Sequence, residues 1–305
     1  MSEFLTLDAF EEASEKVKEA AVATKLIYSD FFSAQYGNGT NKVYLKPENM
    51  QVTGAYKIRG AYYRISKLSD EERKKGVVTA SAGNHAQGVA YAAGKYGIRA
   101  VIVMPTTTPL IKVNRTKALG AEVVLHGDVY DDAAEEAVRI AKEQGLTFVH
   151  PFDDPGVATG QGSIAMEIFK ELPLVDVILV PVGGGGLATG VSTLAKLMHP
   201  KVKVIGVEPE GAACLSASFH FCPEEVDLLI REAKLTRETI IYLDFGSEEM
   251  GNHNNLRESY IRITNSLLRR DIYLETRIIP GGTHCEASWS RQIPFFMNTL
   301  LYKEL

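Results

Sequence analysis

What this sequence has little of narrows the field first. It holds three cysteines, Cys214, Cys222 and Cys285, with no paired spacing of the kind that grips a metal. They cannot all pair with one another, so they read as small buried hydrophobes kept reduced in a cytosol. No window is long and apolar enough to span a bilayer, and residues 1–25 are charged and helical in pattern, without the apolar stretch and cleavage site of a secretory signal. A cytoplasmic location with no membrane partner is the expectation. Charge never gathers into blocks: 33 basic and 38 acidic side chains are scattered to a net −5, which argues against a nucleic-acid partner. An anionic ligand must therefore be held locally. There is also no internal repeat, no low-complexity tract and no Pro/Ser-rich linker.

What is present is ample core material. A hydrophobic fraction of 45% over 305 residues suffices for one large domain or two moderate ones. From Lys42 onward, short β-branched runs alternate with segments of helical period. The runs predict strands at 43–45, 76–80, 99–104, 121–125, 147–150, 176–182, 202–207, 239–245 and 272–279. Between them, Ala55, Ile58, Tyr62, Ile65 and Leu68, and again Val226, Leu229, Ala233 and Leu235, recur at helical spacing. The pattern predicts an α/β fold with parallel sheets covered by helices. Loop chemistry at Pro151, Asp153, Asp154, Pro155 and Gly156 marks the clearest domain boundary. Open α/β sheets bind ligands where loops leave the carboxyl ends of strands, so the loops after Ala80, His150 and Val182 are the places to search.

Three loops carry chemistry. In Thr53-Gly54-Ala55-Tyr56-Lys57-Ile58-Arg59-Gly60 a lysine sits in the opening turn of an apolar-faced helix. Partial desolvation there would disfavour its charged form and yield a nucleophilic amine; on that fact alone, Lys57 reads rather as a solvated surface lysine. In Ser81-Ala82-Gly83-Asn84-His85, between a strand and a helix, backbone N–H groups and the Asn84 amide could hold an anion. The plainer alternative is that Ser81 caps the helix, Gly83 makes a tight turn and His85 is structural. In Gly183-Gly184-Gly185-Gly186-Leu187, four glycines join a strand to a helix. Such a loop is either a phosphate cradle or merely a tight turn, and it lacks the lysine and hydroxyl of a P-loop and the spaced glycines of a dinucleotide site.

Together the three loops resemble, in order and spacing, the cofactor elements of fold-type II pyridoxal-phosphate enzymes, within the threonine dehydratase and serine racemase branch. The likeness covers about residues 5–211 and includes Tyr44-Leu45-Lys46-Pro47-Glu48-Asn49, Pro151-Phe152-Asp153-Asp154, Gly160-Gln161-Gly162 and Gly206-Val207-Glu208-Pro209. The resemblance implies two open parallel-sheet domains of the tryptophan-synthase-β-like kind, a small one at 46–150 and a large one from 1–45 and 151–305. It further implies that Lys57 forms the Schiff base with pyridoxal 5'-phosphate, Tyr56 packs beside the ring and Asn84 bonds the phenolic oxygen. Gly183, Gly184, Gly185, Gly186 and Leu187 would hold the phosphate, and Ser81, Asn84 and His85 would lie along the substrate carboxylate. The implied activity is β-elimination of L-threonine or L-serine to a 2-keto acid and ammonia. Racemases of the branch carry a serine where this chain has Ala82, so dehydration is favoured over racemisation.

After Gly211 the pattern stops. The serine that bonds the pyridine nitrogen in this family has no counterpart, and the racemase branch's cation site, which would use Glu208, has Cys214 where an acid is needed, so no metal is expected. The segment at about 212–302 looks instead like the tail of an α/β-hydrolase of the enterochelin-esterase type, with Glu249 as triad acid and His284 as base. Leu215-Ser216-Ala217-Ser218-Phe219, the stretch from Ile241 to Glu249, and Pro280-Gly281-Gly282-Thr283-His284 followed by Trp289 carry that likeness. No G-x-S-x-G occurs, so the pair has no nucleophile, and His284 then reads rather as a structural histidine. A strand near 202–207 could pair with one near 239–245 across the joint. The leading expectation is a lyase, possible as a homo-oligomer, without an appended regulatory domain; a hydrolase remnant and an inactive chimera are its rivals.

Overall fold

The computed structural model describes residues 4–36, 39–207, 240–246, 261–262, 264–270 and 272–279. In chain order the helices and strands are α1 (Leu7–Val17), β1 (Ile27–Tyr28), α2 (Asp30–Tyr36), β2 (Tyr44–Leu45), α3 (Lys57–Ser66), α4 (Asp70–Lys75) and β3 (Val77–Ala80). They continue with α5 (Asn84–Tyr96), β4 (Ala100–Met104), α6 (Leu110–Ala118), β5 (Glu122–Leu125), α7 (Tyr130–Gln144), β6 (Thr147–Phe148) and α8 (Pro155–Glu171). The last described are β7 (Val177–Pro181), α9 (Gly186–Met198), β8 (Lys203–Val207), β9 (Ile240–Gly246) and β10 (Tyr273–Ile279). All nine expected strands are present, and β1 is an addition that two residues could not announce. The helix expected around Val226 to Leu235 lies outside the described residues.

The chain divides into two compact units, one of residues 1–27, 45–176 and 185–202, the other of 28–44, 177–184 and 203–305. The first contains a four-stranded parallel sheet in the order β5-β4-β3-β6. Every residue of β3 and β4 is buried, as central strands covered on both faces require. Alternation then sorts their side chains. Val77, Ala100, Ile102 and Met104 pack with Ala61, Tyr62 and Ile65 of α3 and Ala86, Val89 and Ala93 of α5. Val78, Ala80, Val101 and Val103 pack on the opposite face with Ala133, Ala137 and Ile140 of α7. Each fully buried valine or isoleucine there contributes ~1.5–3 kcal/mol.

Helices α3, α8 and α9 meet backbone to backbone. A Cβ on Gly160 of α8 would stand 2.7 Å from the Arg59 carbonyl oxygen of α3, and one on Gly190 of α9 would stand 2.1 Å from that of Ala158. These contacts leave no room for side chains, so they fix the start of α3 and the start of α9 against one rigid element. In the second unit, β7 pairs in parallel with β8, and β9 pairs in parallel with β10. Among the described residues β8 has β7, to which α9 connects it, as its neighbour and β9 has β10, so the strand near 202–207 is not seen paired with that near 239–245.

Candidate active site

The first loop folds as a turn that delivers a lysine. The Gly54 N–H donates to the Gln51 carbonyl at 2.7 Å, Ala55 is buried, and α3 begins at Lys57 with no side chain capping its start. Ile58, Ala61, Tyr62 and Ile65 bury the apolar face and hold the helix to the sheet. Gly88 of α5 lies against the Lys57 backbone: a Cβ there would be 3.1 Å from its carbonyl oxygen. From this pinned start the Lys57 Nζ donates to the Pro151 carbonyl oxygen at 2.7 Å and lies 5.5 Å from the Tyr56 ring centroid. The lysine is thus partly buried and directed inward rather than into bulk water.

The second loop continues β3. The Ser81 N–H extends the ladder to the Val103 carbonyl, and the Ser81 hydroxyl accepts from the Gly83 N–H at 3.2 Å. Ser81 therefore tightens the turn instead of capping α5, whose cap is Gly83 without a side-chain bond. Asn84 is exposed at the start of α5. His85 is 2% exposed, its Nε2 lies 3.1 Å from the Val149 carbonyl oxygen, and its Nδ1 is buried without a partner. Burial, reinforced by the Lys57 charge, pushes its pKa from 6.5 down to about 3, so the imidazole is neutral.

In the third loop, Cβ atoms on Gly183 or Gly185 would meet nothing within 4 Å, whereas one on Gly186 would stand 2.8 Å from the Phe152 carbonyl oxygen. Gly185 has φ 79°, a left-handed conformation that a side chain would strain, and α9 starts after it with no side-chain cap. Leu187 is buried. Two neighbouring residues thus link two loops far apart in sequence, for Pro151 receives the Lys57 amine and Phe152 receives Gly186.

That linking segment is firmly held. The Val149 N–H donates to the Val78 carbonyl at 2.9 Å, and the His150 Nδ1 accepts from the Asp153 N–H at 2.8 Å. Asp154 caps α8 through the N–H groups of Gly156 and Val157 and pairs with Arg64 at 2.9 Å. Burial lowers the His150 pKa, opposed by the nearby Asp153 and Asp154 carboxylates.

Two features escaped sequence reasoning. One is the Pro151 carbonyl, a backbone group that no residue pattern reveals. The other is Arg59, 0% exposed, which bonds Glu48 at 2.8 Å and Glu167 at 2.7 Å while Lys46 reaches Glu167 at 2.6 Å. Burial opposes the guanidinium charge, but the two carboxylates outweigh it and hold its pKa above the ordinary value. A charged residue on the apolar face of a helix was the available signal. The network ties the loop before Lys57 to α8. Among the described residues no group of three or more His, Cys, Asp or Glu could hold a metal, and Glu208, Cys214, Glu249 and His284 lie outside them.

The Asn84 loop leaves the carboxyl end of β3 and the glycine loop that of β7, as ligand-binding loops of open α/β sheets do, while Lys57 opens α3. Residues 17–244 match the family described as pyridoxal-phosphate dependent enzyme, and the chain belongs to that family. It is 53% identical over 214 residues to an L-threonine ammonia-lyase of Thermotoga maritima, covering 70% of this chain and 53% of that protein. It is 45% identical over 216 residues to the L-threonine dehydratase catabolic TdcB of Staphylococcus aureus, covering 71% and 62%. The structure resembles the processed form of threonine deaminase isoform 2 from Solanum lycopersicum with a TM-score of 0.65 at 30% identity, over 95% of this chain and 88% of that one. The chain spans about half the length of the first of these relatives. The family match continues past Gly211 to residue 244.

Proposed function

We propose that the chain acts as a pyridoxal-phosphate-dependent ammonia-lyase on L-threonine and L-serine, giving a 2-keto acid and ammonia. The observation that carries the reading is the Lys57 amine on the Pro151 carbonyl, with the glycine loop packed on the adjoining Phe152. The fit to the cofactor rests on the chemistry of these donors: a primary amine for its aldehyde, and a glycine turn open on one side for its phosphate. Lys57 would hold it, Tyr56 would flank the ring, Asn84 would bond its phenolic oxygen, and Gly183, Gly184, Gly185, Gly186 and Leu187 would take the phosphate. When bound, the cofactor supplies an electron sink for the pair left at the substrate α-carbon.

The chain's own residues do the rest. The Lys57 Nζ, as a free amine beside the substrate α-carbon, would accept the α-proton. Ser81, Asn84 and the backbone at His85 orient the substrate carboxylate at the start of α5. The β-hydroxyl would leave as water with the proton that Lys57 took up, and hydrolysis of the released enamine would consume one water, so the net products are keto acid and ammonia. Ala82 offers no hydroxyl to reprotonate the opposite face, which favours elimination over racemisation.

The small domain at 46–150, a cytoplasmic setting and a homo-oligomeric state belong to the same reading. A second reading assigns the tail, about 212–302, to an esterase-like segment with Glu249 and His284, supported by the spacing of those residues. Nitrophenyl-ester turnover abolished by His284→Ala would establish it. The lyase reading is tested by 2-ketobutyrate release from L-threonine with added pyridoxal phosphate. Wild type should turn over and Lys57→Ala should lose ~10²–10⁴-fold or more; equal rates would refute it.

A further inference from the structure

His85 has a buried imidazole with only one nitrogen satisfied, and its partner explains why that is tolerated. A carbonyl oxygen can only accept, so the Nε2 that lies 3.1 Å from the Val149 oxygen carries the ring proton. The neutral ring has one proton, which leaves Nδ1 as a bare acceptor, and it is indeed buried without a partner. The bond to Val149 is one that no apolar residue at this place could make. Val149 itself is 0% exposed and held from the other side by its N–H to the Val78 carbonyl. Val149 directly follows β6, and its carbonyl is held two residues before Pro151, whose nitrogen can donate nothing and whose oxygen receives Lys57 at 2.7 Å.

We propose that His85 is a positioning residue: by gripping the Val149 carbonyl it fixes the Pro151 carbonyl, and so sets where the Lys57 amine rests before it captures a cofactor. Its service to the reaction rests on the reading of Lys57 as the cofactor lysine; its hold on the amine does not. The effect runs from α5 through the end of β6 to α3, with no contact between His85 and substrate required.

The test uses the cofactor-free full chain and acetylation of its lysines by an N-hydroxysuccinimide ester, read site by site by mass spectrometry. A Gln side chain can place its amide N–H where Nε2 stands, whereas Asn is one bond too short and Phe has no donor. His85→Asn and His85→Phe should raise the Lys57 acetylation rate about three- to tenfold, as expected for loosening a hydrogen bond to a charged amine, with exposed Lys142 as internal control. His85→Gln should restore the wild-type rate. Rates unchanged in both Asn and Phe variants that remain folded, or equally raised in the Gln variant, would overturn the inference. Nitrogen chemical shifts of the wild-type ring give a check that needs no variant: the Nε2–H tautomer is expected, and the Nδ1–H tautomer would overturn it. Pyridoxal phosphate added to the same samples separates the two questions, since failure of wild type to bind it defeats the lyase reading while leaving the acetylation result to decide this one.

Discussion

Helices α8 and α9 touch along their backbones, yet they begin in opposite ways. At the start of α8, Asp154 accepts from the N–H groups of Gly156 and Val157, and Pro155 in the first turn has no N–H to satisfy. At the start of α9, Gly185 supplies no side chain, and α3 and α5 open likewise behind Tyr56 and Gly83. Free N–H groups at a helix start attract anions, and a capped start has already spent them. The closed start serves stability, and in the proposed function the open ones take the ligand. α6 also opens uncapped, behind Pro109, so an open start marks a site only in company, here that of Lys57 and Gly186.

The largest expected effect concerns acid. The His85 pKa falls from 6.5 to about 3 on folding, so below pH 6.5 the unfolded chain takes up a proton that the native chain refuses. Its contribution is complete above about pH 6.5 and is lost as pH falls toward 3. Urea unfolding at pH 7 and pH 5 should show a loss of about 2 kcal/mol from this group, absent from His85→Gln. Equal losses in both proteins would remove His85 from the account.

Next, Gly186→Ala should break the open start. Its Cβ would drive into the Phe152 carbonyl, costing ~1–3 kcal/mol by thermal unfolding, and pyridoxal-phosphate affinity should fall with it. Asp154→Ala should cost ~1–2 kcal/mol of stability by loss of the cap and of the Arg64 pair, with cofactor affinity unchanged; a large loss of affinity there would dissolve the contrast between α8 and α9. Smallest is Gly183→Ala, which meets open space and should move stability by less than ~0.5 kcal/mol. Its effect should appear only in equilibrium binding of inorganic phosphate or the cofactor.

Much of this was legible because strand-to-helix rhythm is periodic. Short apolar runs with a β-branched centre, such as Ala100–Met104, read as buried strands, and the glycine and Asn84 loops stand at the carboxyl ends of such runs by sequence order alone. Lys57 was found the same way, as the first residue of an apolar-faced helix. What stayed hidden depends on which chain segment lies beside another. The burial of His85 follows from the end of β6 passing over α5, and the Pro151 carbonyl is a backbone partner that any residue would offer. The Arg59 network needs α3 and α8 at a backbone contact that only Gly60 and Gly160 together permit.

The central claim is tested most directly by mixing the purified chain with pyridoxal phosphate, reducing with borohydride and mapping the labelled peptide. The account predicts a visible absorption band before reduction and a single stable adduct on Lys57, both absent from Lys57→Ala. An adduct spread over surface lysines, or the same band in the variant, would contradict it.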